Sequence, residues 1–138
     1  MNNGPYLLGI DMGTGGARAA VFDTSGKPIG IAGYEWKTNF PRPGRAEQSP
    51  IEWWDCVCAA VNEARDKAGV PAESIVGIGV DSTSATVVAV DKTNEVIRPA
   101  LLWMDVRSAE EADMLAATGD DALKYSGYGS VSAEWGTP

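Results

Sequence analysis

Apolar residues cluster in short runs near the start of the chain and recur at three- and four-residue intervals in its middle. Tyr6 to Ile10 is a compact apolar run of the kind a buried strand makes. Asp11-Met-Gly-Thr-Gly-Gly16 follows as a glycine-rich turn, and Ala17 to Phe22 is a second run. Asp23-Thr-Ser-Gly26 marks another turn, and Pro28 to Trp36 a third strand. Three strands joined by two short glycine-containing turns predict an antiparallel meander. Thr38 to Gln48 is polar, contains Pro41, Pro43 and Gly44, and reads as a loop. A helix then starts with Ser49 as N-cap, Pro50 at the first helical position and Glu52 three residues after the cap. Trp54, Val57, Cys58, Val61, Ala64 and Ala68 form its apolar face, with Trp54 expected in the core. Gly69 and Pro71 end it. Ser74 to Val80 and Thr86 to Asp91 read as strands around a small-residue turn, and Lys92-Thr-Asn94 as a turn. Val96 to Trp103 is partly extended. Ser108 to Ala117 reads as a second helix, with Glu110, Glu111 and Asp113 on a solvated face. Beyond Thr118 the pattern weakens, punctuated by Gly119, Gly127, Gly129 and Gly136.

The resulting order is β-β-β-α-β-β-α. An antiparallel trio, a crossing helix and a further strand predict an α/β, ribonuclease-H-like domain: a mixed sheet with flanking helices. At 138 residues the chain is one domain or a piece of one. Its net charge is −8, which excludes a binder of the nucleic-acid backbone, since that needs a basic face. A single anionic nucleotide is not excluded, because local amides and a cation outweigh global charge. Histidine is absent, which removes Ser-His-Asp and Cys-His catalysis and histidine-ligated zinc from these residues. Cys56 and Cys58, two apart on a predicted helix, diverge and read as small buried thiols of a reducing compartment. Met1 to Tyr6 has no basic region, and Asp11 interrupts the apolar stretch that follows. No signal peptide or membrane span is expected, and a cytoplasmic location is.

Three constellations carry chemistry. In the first, Gly9 to Arg18, Asp11 ends a strand where its carboxylate projects from the sheet. Gly13, Gly15 and Gly16 allow a tight turn whose amides face a phosphate, Thr14 adds a hydroxyl, and Arg18 returns as a cation. A carboxylate beside a phosphate cradle implies a divalent cation, and Mg²⁺ suits it. A plain β-hairpin fits the same spacing, and this is no P-loop because Gly-Lys-Ser/Thr is missing. In the second, Gly77 to Thr86, a buried strand runs into small and hydroxylated residues that let a polyhydroxylated ligand approach the backbone; an ordinary Ser/Thr-rich turn fits the same residues. The third is Trp103-Met-Asp105-Val-Arg107. An apolar face beside an acceptor suits sugars, while Asp105 as a helix cap and Trp103 as core is the alternative. Arg107 is open to three roles: meeting the sugar, capping the second helix, or pairing with Glu111.

Gly-Ile-Asp-x-Gly-Thr with Arg18 and Phe22-Asp23 resembles the first phosphate motif of the actin, Hsp70 and sugar-kinase superfamily. Pro43-Gly-Arg-Ala-Glu-Gln-Ser-Pro50 running into Trp53-Trp54, the strand Ile75 to Gly79, and Pro99-Ala-Leu-Leu-Trp103 followed by Asp105 and Arg107 narrow the resemblance to the FGGY carbohydrate kinases. It covers nearly the whole chain in order. Val80-Asp81-Ser82-Thr83, Tyr125-Ser126 and Ser132-Ala-Glu134-Trp135 are similar to ribulokinase segments. Glycerol kinases place an Arg-Glu pair where Ser84-Ala85 stand, so the resemblance disfavours a glycerol substrate, and xylulokinases usually have a Met-His pair in the same turn, also absent.

The resemblance implies transfer of the γ-phosphoryl of ATP to a sugar hydroxyl with Mg²⁺, between two ribonuclease-H-like domains, by positioning and charge stabilisation. Asp11 would hold the Mg²⁺–phosphate array. Thr14, Gly15, Gly16 and Arg18 would steady the phosphates. Ser84, Ala85, Trp103 and Asp105 would line the sugar pocket, with a ketopentose such as ribulose as substrate. The family's adenine-binding domain and its carboxylate base lie beyond the part matched here, so residues 1–138 are expected to be an incomplete first domain without turnover. A homo-oligomer is expected of the full-length protein. Faces left bare by the missing part would favour association. The competing reading is a stand-alone module that binds sugar or phosphate without catalysis.

Overall fold

The computed structural model describes residues 4–126 and 131–134. Gly127, Gly129, Trp135 and Gly136, quoted above, lie outside the described residues, as do Met1 to Asn3. In chain order the elements are β1 (Tyr6–Met12), β2 (Gly16–Phe22), β3 (Pro28–Glu35), β4 (Glu47–Gln48), α1 (Pro50–Ala68), β5 (Ile75–Ser82), β6 (Ala100–Leu101) and α2 (Ala109–Ala117). They fall into two compact units. The first comprises Met1–Lys37 and Pro50–Thr83, the second Thr38–Ser49 and Ser84–Pro138.

The first unit is a four-stranded sheet in the order β3-β2-β1-β5. β1 to β3 form the expected antiparallel meander, and β5 returns parallel to β1 after α1. β2 alternates strictly: Ala17, Ala19 and Val21 are buried, and Arg18 faces out. That period of two gives the sheet one inner face. α1 lies on this face over β2 and β3 and barely reaches β1. It buries Val57, Ala60 and Ala64, spaced three and four apart. Small residues on both sides bring the layers close, and Gly30 of β3 sits under the helix backbone.

Two expectations change here. Trp54 is 68 % exposed. The helix is rotated so that Trp53, four residues before Val57, turns inward and meets Trp36 with ring centroids 6.1 Å apart. The stripe through Trp54 and the stripe through Trp53 share Val57 and Ala64, and the alanine-lined sheet selects the second. β5 is also less covered than a buried strand should be. Ile78 and Val80 pair with Leu8 and Ile10 on the helix side of the sheet. They are 65 % and 64 % exposed, because α1 does not extend over them. Among the described residues no strand pairs with the outer edge of β5. Cys56 and Cys58 are free and half-buried, and burial is the main cause raising the Cys56 thiol above its ordinary value.

In the second unit β4 pairs antiparallel with β6, Glu47 opposite Leu101. The strand expected over 86–91 is reduced to isolated pairings, Val87 with Leu101 and Val90 with Val96. The reversal between them is built by Asp91, whose Oδ1 accepts from the Thr93 and Glu95 amides; Asp23 builds the β2–β3 turn in the same way. Ser108 is the N-cap residue of α2. Among the described residues no helix is long and apolar enough to cross a membrane.

A Cβ added at Gly30 would run into the Ala64 carbonyl oxygen and stand 2.6 Å from the Ala68 nitrogen. Gly30→Ala should lift α1 off the sheet and destabilise the protein by about 2 kcal/mol. A urea midpoint equal to wild type would show that the helix does not sit this close.

Candidate functional site

The β1–β2 turn is shaped from behind by Trp36. Its indole Nε1–H donates to the Thr14 carbonyl at 2.9 Å, and its backbone N–H to the Gly15 carbonyl at 3.2 Å. A trans peptide places its N–H opposite its C=O. The Gly15 and Gly16 amides therefore point away from Trp36. The Gly13 amide closes the turn onto the Gly16 carbonyl at 3.0 Å. A Cβ on Gly15 would meet nothing within 4 Å, so the space in front of that residue is open. Arg18 stands across from Asp11 in the β1–β2 register. Their side chains approach at 3.5 Å and remain largely exposed, so the pair is weak and free to be rearranged. A cavity of about 580 Å³ is bounded by Gly13, Thr14, Gly15, Arg18, Tyr34 and Lys67. Open amides, a hydroxyl and a cation around this cavity suit a phosphate; Asp11 borders a neighbouring cavity, and Arg18 lines both.

Asp11, Thr14, Gly15, Gly16 and Arg18 are thus brought together in the first unit. Sequence reasoning left Asp81 out of this set. It is the parallel register partner of Asp11, and both border a second cavity of about 560 Å³ on the outer sheet face. The signal was present, since Gly9-Ile-Asp11 and Gly79-Val-Asp81 are two copies of one strand ending.

Ser84, Ala85, Trp103 and Asp105 belong to the second unit. Ala85 has φ +55°, a left-handed conformation that is strained for a residue with a Cβ. The turn it occupies lies beside Trp103, whose backbone N–H donates to Thr86 Oγ1 at 3.3 Å. Trp103 is 41 % exposed, an open indole face rather than core.

Asp105 departs from its expected role. It is 6 % exposed, and both oxygens are engaged inside the protein. Oδ2 accepts from the Ala46 amide at 2.8 Å and Arg107 Nη2 at 2.7 Å. Oδ1 accepts from the Arg107 amide at 3.0 Å and Arg107 Nε at 2.8 Å. Its carboxylate is committed to holding the chain, and the N-cap position of α2 is Ser108, whose side chain makes no capping hydrogen bond. Arg107 also donates from Nη2 to Glu47 Oε1 at 2.6 Å, so its partners are Asp105 and Glu47 rather than Glu111. Burial pushes the Asp105 carboxyl up, but the Arg107 hydrogen bonds, the two amides and the guanidinium charge outweigh it and leave it at about 2. The same hydrogen bonds raise Arg107 above its ordinary value.

The profile of the FGGY family of carbohydrate kinases, N-terminal domain, matches residues 6–133. The chain is 40 % identical over 117 residues to a glycerol kinase from Rhizobium meliloti, covering 84 % of this chain and 24 % of that protein. A glycerol kinase from Thermococcus gammatolerans is 33 % identical over 119 residues, covering 86 % of this chain and 24 % of its own. Among solved structures, a xylulose kinase from Brucella ovis superposes with TM-score 0.84 at 30 % identity, covering 94 % of this chain and 27 % of that one. A xylulose kinase from Rhodospirillum rubrum gives TM-score 0.78 at 28 % identity, with 86 % and 24 % covered. The chain therefore has the α/β fold of the actin, Hsp70 and sugar-kinase superfamily. It spans about a quarter of the length of the curated relatives it matches. These relatives are glycerol and xylulose kinases rather than the ribulokinases that Val80 to Thr83 resembles.

The Asp105 carboxyl titrates at about 2 in the folded protein against an ordinary 3.8. Its stabilising contribution is complete above about pH 4 and is lost as the pH falls from there toward 2. Arg107→Met removes the hydrogen bonds and charge that lower the carboxyl, and should move this acid transition to higher pH. Denaturant midpoints measured from pH 6 down to pH 2 would register the change. A transition at the same pH in wild type and variant would detach it from this pair.

Proposed function

Because the chain belongs to the FGGY family of carbohydrate kinases as its N-terminal domain, we propose that it forms the phosphate-holding and acceptor-facing part of a kinase that moves the γ-phosphoryl of ATP to a hydroxyl of a small polyhydroxylated acceptor. The observation that supports this most is the β1–β2 turn. Its Gly15 and Gly16 amides face away from Trp36, Arg18 lines the same cavity, and Asp11 approaches Arg18 at 3.5 Å. The Thr14 hydroxyl, these amides and the Arg18 guanidinium bind and orient the β- and γ-phosphates, holding charge that grows during transfer. Among the described residues no group of three or more acidic or thiol side chains forms a metal nest. Asp11 and Asp81, register partners on β1 and β5, are the one or two carboxylates that Mg²⁺ takes before completing its shell with phosphate oxygens and water. Asp11 would hold it, with Asp81 beside it, and the ion would neutralise charge on the phosphates. The adenine pocket and the carboxylate base for the acceptor hydroxyl belong to the remaining three quarters of a protein of the relatives' length. Isolated residues 1–138 are then without turnover.

Ser84, Ala85 and Trp103 face the acceptor. Ser84-Ala85 offers one hydroxyl and no charge, and Val80 to Thr83 is ribulokinase-like, so a ketopentose is favoured, ribulose first. Glycerol is the second acceptor, favoured by the 40 % identity to a glycerol kinase.

The test is ADP release by the full-length protein with ribulose, xylulose and glycerol. Phosphorylation of one of them is expected, and none by residues 1–138. Asp11→Asn should lower kcat by about a hundredfold or more. Gly15→Ala meets open space, so folding should persist while the KM for ATP rises. Sugar binding without phosphorylation by the full-length protein would leave the stand-alone binding module. ADP release unchanged in both variants would remove the hairpin from the phosphate site.

A further inference from the structure

We propose that Arg107 is a positioning residue: with Asp105 and Glu47 it forms a buried clasp that fixes where Trp103 presents its indole to the acceptor. The proposal rests on the reading that Trp103 lines the acceptor pocket. Trp103 sits in the turn 102–105, closed by the Asp105 amide on the Leu102 carbonyl at 2.9 Å. The indole is 41 % exposed, and the backbone of the turn that carries it is anchored at a distance. It is held by ties to the segment 44–47, far away in sequence. The Leu102 amide donates to the Ala46 carbonyl at 3.1 Å and the Val106 amide to the Gly44 carbonyl at 2.9 Å. The Ala46 amide donates back to Asp105.

Arg107 locks these strands of chain together. Its Nε and Nη2 grip opposite oxygens of Asp105, and Nη2 also reaches Glu47. The three side chains are 19 %, 4 % and 21 % exposed. A planar guanidinium with several bonds into carboxylates has one orientation, whereas an ammonium is a point charge that swivels. The clasp therefore sets an angle as well as supplying attraction. Removing one partner leaves a buried charge unpaired, which the turn relieves by opening. Opening displaces Trp103, and with it the Thr86 contact that joins it to the Ala85 turn.

Arg107→Lys keeps the charge and loses the fork, and Glu47→Gln loosens one arm while keeping an acceptor. Both are milder than removal of the side chain and should fold. Full-length protein is labelled with 5-fluorotryptophan, and the Trp103 and Trp36 signals are assigned by Trp103→Phe and Trp36→Phe. In Arg107→Lys the Trp103 fluorine signal should shift or broaden while the Trp36 signal stays. The KM for the acceptor should rise about tenfold, with the KM for ATP unchanged. Glu47→Gln should give the same pattern, weaker. A Trp103 signal unmoved in Arg107→Lys, with only the unfolding midpoint lowered, would overturn the proposal and leave Arg107 a strut. A moved Trp103 signal with acceptor KM unchanged would support the positioning and remove Trp103 from the acceptor pocket. Because the fluorine readout needs no turnover, a full-length protein without kinase activity would still decide the role of Arg107.

Discussion

The paired hydrogen bonds from Trp36 to the Thr14 and Gly15 carbonyls are the constraint on which the rest of the first unit turns. A glycine-rich hairpin has many accessible backbone states. Anchoring two consecutive carbonyls on one residue removes most of them and decides which side the following amides serve. Trp36 is itself fixed from below: it is buried beside Ala17 and Val57 and packs on Trp53 of α1. The direction of the amides is thus a product of helix–sheet packing, and the hydrophobic core reaches the rim of the cavity through a single indole.

Much of this was legible in the sequence, and the reasons differ between elements. The meander and α1 could be read because each has a clean period and a stop signal: β2 alternates, Pro50 opens the helix, and Gly69 ends it. The hairpin could be read because three glycines between two apolar runs mark a tight turn, although the same spacing also fits a plain β-hairpin. Trp54 could not be placed, since two stripes one residue apart share most of their members and only the opposing alanines choose between them. Asp105 could not be placed either. Trp-x-Asp-x-Arg shows a carboxylate near an indole, but whether it faces a ligand or the protein depends on Ala46 and Glu47, some sixty positions earlier. Residues 86–91 have a strand's composition without a strand's neighbours, and the result is bridges in place of a ladder.

The hairpin of the first unit and the turn of the second are held by different physics. The hairpin is built from backbone geometry and leaves its charged groups exposed and loosely paired. The turn at 102–105 is built from buried charge and leaves its apolar group exposed. Asp105 stays ionised near neutrality, since Arg107 and the two amides hold its carboxyl at about 2 against the cost of burial.

Because the second unit takes its residues from 38–49 and again from 84 onward, its assembly is tied to the order in which a chain is made. The segment 44–48 emerges from a ribosome well before Leu102, Asp105 and Arg107, the groups that satisfy it. Closing a loop of that length costs roughly 4 kcal/mol of chain entropy, recovered only when the clasp forms. At a few residues per second to a few tens, Glu47 and the Ala46 amide spend several seconds in water or with passing partners. The β1–β3 meander needs no such wait, since its contacts are with neighbours in sequence. Early folding of the sheet would fix the two ends of 38–49, and the Asn39–Glu47 pairing could close within it, before the Ala46 amide and the Glu47 carboxylate meet Asp105 and Arg107.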